Sequence, residues 1–363
     1  MKYLCILLLI ILLNSTKRKI VNLYNESSYF TSWATGMNLT GKPKINLNEN
    51  SIRQIIRVSA GGEKIRLKFS NLIGNSELEI KKVCIADLIS KSKINKKTLK
   101  YLTFNGEYSI TINKEKEEYS DTINYILKPF SLIAITIYFG KVPTELSGHS
   151  YSLTYSYIEK GNKITKKKFS ERNKVDHLFF ISALEISSES PKKVIVFFGD
   201  SITDGVIFKD DMRDNYPDIF FEKLYYTKNI SDISVVNEGI NADRLLEKGL
   251  KRYKHDVLNI KGVSYIIVLY GVNDINALNA TSYQIISGYK KIIEEAHKRH
   301  IYIYAGTIMP FSTYKAKNIW NKEKEKERQK VNKWIRETKP ENSGFDAFFD
   351  FDKNVKDSEN ETK

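Results

Sequence analysis

Three short polar clusters carry the residue types that acyl transfer needs. Phe198-Gly199-Asp200-Ser201-Ile202-Thr203-Asp204-Gly205 follows an apolar run from Val194, so Ser201 falls where a strand gives way to a helix. The free N–H groups of a helix start can face a developing anion. A second strand-like run ends in Asn237-Glu238-Gly239-Ile240 and a third in Tyr270-Gly271-Val272-Asn273-Asp274. Acyl transfer requires a nucleophilic oxygen and several donors aimed at a tetrahedral oxyanion. Ser201 as nucleophile, with its own N–H, the N–H of Gly239 and the side-chain amide of Asn273, supplies that set, and Asp200, Asp204 and Asp274 stand beside it as supporting carboxylates. Taken alone, Ser201 could equally be a plain helix N-cap.

These clusters are useful only if one scaffold brings them together. From Lys193 onward, strand-like runs at 194–198, 234–237, 264–270, 301–306 and 345–351 alternate with helix-length segments. Such alternation predicts βαβ units and one doubly wound parallel sheet, with ligands outside the carboxyl ends of its strands. After Thr281, Ile285, Tyr289, Ile292, Ile293 and Ala296 recur at helical spacing, the stripe of a helix laid on a sheet. The run from Lys322 to Arg328 alternates lysine with glutamate and reads as a solvated helix face. From Trp33 to Ile186 short β-like runs predict an all-β sandwich. Within it, 52–58 and 64–69 flank Ala60-Gly61-Gly62-Glu63 as a hairpin with one buried face. His149 is expected to have a structural or loop role.

In combination and order, the three clusters resemble the SGNH (GDSL-type) hydrolases, a family of serine esterases. Gly199-Asp200-Ser201 with Thr203-Asp204-Gly205, then Gly239, then Gly271-Val272-Asn273-Asp274 look like its first three blocks. The resemblance implies a flavodoxin-like parallel sheet with flanking helices, Ser201 as nucleophile, and Ser201, Gly239 and Asn273 as the oxyanion hole. Gly205 lies four residues after Ser201, so the Gly-x-Ser-x-Gly elbow of α/β-hydrolases is not formed. Trp33-Ala34-Thr35, Arg53-Gln54-Ile55, Ser59 to Gly62 and Arg66 through Asn71 extend the likeness to the β-rich domain of a subgroup of secreted, carbohydrate-directed esterases, as do Arg244-Leu245-Leu246, His255 to Leu258 and the segment from Arg328 to Arg336. Asn241-Ala242-Asp243 departs from the subgroup's Gly-Gly-Asn-like run, and a carboxylate at Asp243 is expected to weaken a nearby oxyanion site. The family's base and orienting acid come from an Asp-x-x-His block after the fifth strand, and residues up to Lys363 contain none. The catalytic His and Asp are thus absent from this chain, which is expected to be a C-terminally incomplete, nearly inert form. His149 and His177 precede the catalytic region, and His255, His297 and His300 are expected at the opposite sheet edge, roughly 15–20 Å from Ser201.

The implied partner is an ester substrate, such as an acyl or acetyl group on a polysaccharide; the alternative is a non-catalytic protein that binds glycan or a cell surface. Of 363 residues 41% are hydrophobic, enough for a sizeable core. Lys and Arg number 58 against 43 Asp and Glu, a formal net charge of +15, but the lysines are dispersed among glutamates and form no stripe for nucleic acid. Met1-Lys2, an apolar run from Leu4 to Leu13 and Asn14-Ser15-Thr16 have the form of a secretory signal over residues 1–15. As a helix that run reaches ~15 Å, half a bilayer core of ~30 Å, so no stable membrane span is expected after its removal. The expected organisation is a β-rich sandwich over 20–188 and a hydrolase domain over 192–363, in a secreted protein. Export makes Asn25, Asn38, Asn229 and Asn279 glycosylation sequons. With Cys5 removed, Cys84 is a lone buried thiol, and neither a zinc cluster nor any other metal or organic cofactor is implied.

Overall fold

In the first half of the chain, β-branched and aromatic residues alternate with polar ones, and the strands they form sort into antiparallel sheets of five, eight and three strands. The computed structural model describes residues 29–189, 192–205, 215–312 and 320–355. The signal-like segment 1–15, Cys5 and Asn25 lie outside the described residues. The hairpin expected around Gly61-Gly62 does not form. Strand Asn50–Arg57 pairs with Leu132–Phe139 and Ser156–Lys160, whereas Gly62–Ser70 pairs with Ile181–Ser187 and Ile123–Leu127 in the other large sheet. The reason is visible in the first of the two runs, whose residues 51–56 are all buried, so both of its faces are covered. The link between them is fixed to Ser32, which accepts from Ala60 N–H at 2.9 Å and whose carbonyl accepts from Ser59 Oγ at 2.8 Å. A Cβ on Gly61 would stand 2.4 Å from the Leu127 carbonyl oxygen, so only glycine passes there. Arg53 is fully buried under the Phe169 ring, and its guanidinium satisfies Thr136 Oγ1 and the Ser92 and Lys166 carbonyls. Cys84 is a buried thiol that burial pushes up to about 11, inert packing rather than a nucleophile.

The second half is one parallel sheet. Its strands, in chain order Lys193–Gly199, Ile233–Gly239, Val263–Leu269, Tyr302–Gly306 and Ala347–Phe349, lie in the spatial order 2-1-3-4-5. This is the flavodoxin-like arrangement, in which the sheet edge between the first and third strands is the switch point. Helix Ser282–Lys298 starts at a Thr281–Gln284 capping box and buries Ile285, Tyr289, Ile292, Ile293 and Ala296. Two expectations change. The fifth strand is only Ala347–Phe349, because Phe351 already begins a short helix, Phe351–Val355. Within helix Lys322–Glu337, Arg328 is not solvated. It is fully buried, donates to Glu325, Asp352 and the Ile308 carbonyl, and ties the helix to the end of the sheet. No helix among the described residues is long and apolar enough to cross a membrane.

The second strand is an edge, and an unpaired edge invites association with other chains. Here the β-rich half covers it. Ser234 Oγ donates to the Thr31 carbonyl at 2.7 Å, and Val235 N–H donates to Ser59 Oγ at 3.1 Å. Phe130, held at φ 65°, inserts among Phe221, Tyr225 and Tyr226 of helix Tyr216–Lys228, with the Arg57 guanidinium over its ring. Further along, His255 Nε2 meets Glu117 at 2.7 Å across the same boundary. Bonds to Asp256 and Glu117 push His255 up to about 10, while burial pushes Glu117 up but His255 and Lys68 outweigh it and hold it at about 2. The histidine contribution is complete below its unfolded value near 6.5 and is lost as pH rises through about 10; the glutamate contribution is complete above about 4.5 and is lost as pH falls through about 2. The melting temperature is therefore expected to peak between about pH 4.5 and 6.5 and to fall toward pH 10, and in a Glu117→Gln variant the fall should be shallower. A pH profile unchanged by that substitution would remove this ion pair from the account.

Candidate active site

Gly199 ends the first strand and turns the chain into a one-turn helix, Ser201–Asp204. A Cβ there would lie 2.6 Å from the Leu269 carbonyl oxygen of the third strand. Asp200, not Ser201, is the N-cap: its Oδ1 accepts from Ile202 N–H at 3.0 Å. The Ser201 hydroxyl is thereby free of the capping role, and the residue is half-buried at the sheet edge. The turn is held from three sides. Asn237 Nδ2 donates to the Thr203 carbonyl at 2.8 Å, the Tyr216 hydroxyl bonds Thr203 Oγ1 at 3.0 Å, and Gly205, at φ 96°, ends the helix as no L-residue would comfortably do.

Gly239, expected to supply an oxyanion donor, already has an acceptor for its N–H. It is buried beneath the turn, where a Cβ would lie 2.2 Å from Asp204 N, and its own N–H donates to Asn237 Oδ1 at 2.9 Å. The exposed residue on that loop is Ala242, held in the left-handed region at φ 58°. Asn273 reaches the same loop: its amide donates to the Asp243 carbonyl at 3.0 Å. An amide carries two hydrogens, so one such bond fixes its direction and leaves the other N–H for a ligand. Asn273 is swung into place by Gly271 at φ 114°, where a Cβ would strike Ile308 at 2.5 Å. Alanine at a left-handed position costs ~1–2 kcal/mol relative to a glycine. Ala242→Gly is thus expected to raise stability by about 1 kcal/mol in chemical denaturation, after the entropy of the added glycine is subtracted; a loss of stability would contradict the strain.

The acidic cluster meets two basic side chains that sequence reasoning did not place here. Arg252 is the first. Its Nε donates to Asp243 Oδ2 at 2.7 Å, Nη1 to Asp256 at 2.9 Å, and Nη2 to the carbonyls of Gly199 at 3.2 Å and Glu238 at 2.8 Å and to the Tyr270 hydroxyl at 2.7 Å. One guanidinium therefore ties the carboxyl ends of the first and second strands to the residue that follows the third. The Tyr270 hydroxyl in turn donates a hydrogen bond to Asp243 Oδ2 at 2.7 Å. The Asp243 carboxylate is consequently neutralised, and the expected weakening of an oxyanion site by this residue does not hold. Burial pulls Arg252 down, but Tyr270, Asp256 and Asp243 outweigh it and raise it. Asp274 caps the helical segment at 245–258, accepting from Leu245 and Leu246 N–H at 3.1 and 2.9 Å. Burial, with the charges of Asp274, Asp243 and Asp204, pushes Asp200 up to about 7.

The second is His149. It lies on strand Leu146–Ser150 of the β-rich half, yet its Nε2 is 3.0 Å from Asp204 Oδ1 and its Nδ1 2.9 Å from the Gly36 carbonyl. Of the other histidines, His177 pairs with Asp176, His255 with Asp256 and Glu117, and His297 with Asp346. Neither these three nor His149 is bonded to Ser201. The sequence around Arg252 and His149 holds no distinguishing spacing, because each acts on partners distant in the chain.

Residues 197–363 match the family described as GDSL-like lipase/acylhydrolase. These residues carry a GDSL-like lipase/acylhydrolase domain. The matched residues coincide with the parallel-sheet domain, an SGNH hydrolase fold carried beside a β-rich domain. Among solved structures, the SGNH-hydrolase family esterase AlinE4 is 21% identical over 47% of this chain and 82% of its own, with a TM-score of 0.37. The acetyl xylan esterase AlAXEase is 19% identical over 42% of this chain and 75% of its own, with a TM-score of 0.33. A GDSL-like lipase from Bacteroides thetaiotaomicron is 19% identical over 47% and 73%, with a TM-score of 0.35. No curated protein matches the chain.

Proposed function

We propose that the protein is a secreted serine ester hydrolase that removes acyl or acetyl groups from polysaccharide. Ser201 Oγ adds to the ester carbonyl, the bond to the alcohol oxygen breaks, the alcohol leaves with a proton, and water then cleaves the acyl-serine. The observation that carries this reading is the convergence of a non-capping serine at a helix start with an amide whose direction is fixed, Asn273 on the Asp243 carbonyl. In this reading the Ser201 N–H and the Asn273 amide stabilise the oxyanion. The exposed Ala242 N–H takes the place first given to Gly239, whose N–H is already donated. The substrate class rests on export and on the likeness of both halves to secreted carbohydrate-directed esterases.

A second reading, a non-catalytic glycan-binding protein, is favoured by the histidines, four of which bond carboxylates and not Ser201. Release of acetate from acetylated xylan, and of phenol from an aryl acetate, separates the two. Turnover that vanishes with Ser201→Ala supports the hydrolase. Binding of acetylated xylan without turnover, unchanged by that substitution, supports the second reading.

A further inference from the structure

Among the described residues, His149 of the β-rich half hydrogen-bonds the Ser201–Asp204 helix. His149 is 4% exposed, and both ring nitrogens are used: Nδ1 on the Gly36 carbonyl and Nε2 on Asp204 Oδ1. A carbonyl only accepts, so the proton of that bond is on Nδ1. The contact to Asp204 then requires a second proton between Nε2 and Oδ1, and the buried pair is neutral as a whole only while it keeps that proton. Asp204 is itself 4% exposed and is the last residue of the single helical turn that starts at Ser201. Its N–H closes that turn onto the Asp200 carbonyl at 2.9 Å, and Gly205 N–H closes onto the Ser201 carbonyl at 2.9 Å. The other charged group facing His149 is Arg252, which Gly36 approaches so closely that a Cβ there would lie 3.0 Å from Nη1. Leu153, four residues beyond His149, packs 3.5 Å from where a Cβ on Gly205 would stand.

We propose that His149 is a positioning residue for the Ser201 helix: by bonding Asp204 from the other half of the chain, it makes the β-rich domain a working part of the catalytic site. This rests on the reading of Ser201 as nucleophile. A single turn cannot hold itself, since a helix nucleus fixes several dihedrals for one hydrogen bond. Ser201–Asp204 therefore takes its geometry from what grips it, and from the β-rich half that grip is His149. The interaction also has an electrostatic side. Without the shared proton, Asp204 would be a bare buried carboxylate in the helix that carries Ser201, opposing negative charge on an oxyanion. Burial pulls His149 down, but Asp204 and the Gly36 carbonyl outweigh it and raise it, as a retained proton requires.

The test uses the full chain and two variants, His149→Gln and His149→Gln/Asp204→Asn, the second of which leaves no carboxylate without its cation if the first does not fold. Amide hydrogen exchange at Asp204 and Gly205 is expected to accelerate at least tenfold in a folded variant, with strand Val263–Leu269 unchanged. Phosphonylation of Ser201 by an alkyl fluorophosphonate, followed by intact mass, is expected to lose ~10²-fold in its maximal rate, the size of effect of a misplacement near 1 Å. Its half-saturating concentration should stay the same, which a general loss of structure would not produce. Unchanged exchange at 204 and 205 in a folded variant overturns the proposal. Failure of the unaltered protein to be phosphonylated at Ser201 overturns instead the reading of that serine as nucleophile, and the exchange measurement still decides whether His149 holds the helix.

Discussion

Ser201→Ala is expected to abolish the ester turnover the protein shows, without loosening the fold. Loss of a hydroxyl at a helix start often removes a cap worth ~1 kcal/mol, and that would confuse a catalytic effect with a structural one. Here the two are separated by geometry. Asp200 supplies the cap through Ile202 N–H, so the Ser201 hydroxyl is not needed to start the helix. The melting temperature of the variant should match the unaltered protein, with a stability change within about 0.5 kcal/mol. A variant that hydrolyses an aryl acetate at the original rate would place any esterase activity elsewhere in the molecule.

Arg252→Met should be the most destabilising single change near the site, by roughly 3–5 kcal/mol, the cost of removing one partner of a buried ion pair. Asp243 and Asp256 are 2% and 8% exposed, and both lose their cation. Two strand-end carbonyls and the Tyr270 hydroxyl lose a donor as well. Against a typical total of ~5–15 kcal/mol this is a large fraction, so the variant is expected to be partly unfolded at room temperature. Arg252→Lys should recover little. A lysine carries three donors on a point charge and cannot span the Asp243 side, the Asp256 side and the strand ends together, as the planar guanidinium does. Urea denaturation of both variants measures the effect, and a loss below about 1 kcal/mol would mean that the hub is dispensable.

Both expectations depend on how the chain brings distant residues together, and the sequence discloses this unevenly. The parallel sheet was legible because each strand is an apolar run bounded by polar residues, and helix Ser282–Lys298 because its buried stripe repeats at helical spacing. Local pattern misled where burial is two-sided. Residues 51–56 lie between two neighbouring strands with both faces covered, so adjacency in sequence to Gly62–Ser70 did not make a hairpin. It misled again in the Lys-Glu run, where Arg328 is the one basic residue turned inward, toward Asp352, a partner at the far end of the sheet.

By itself the sequence determined the positions of the chemistry-bearing groups: Ser201 after the first strand, the Gly239 region after the second and Asn273 after the third, since strand–loop–helix junctions are local features with local signals. Only the tertiary structure decided what each one does. It put the N–H of Gly239 on Asn237 and left Ala242 exposed, neutralised Asp243 with Arg252, and placed His149 from the β-rich half against Asp204. The physical reason is range. Helix and strand propensities are set within a few residues, whereas hydrogen-bond partners of a buried charge are chosen by whichever groups the packed chain brings within 3 Å, and for Asp204 that partner lies 55 residues away.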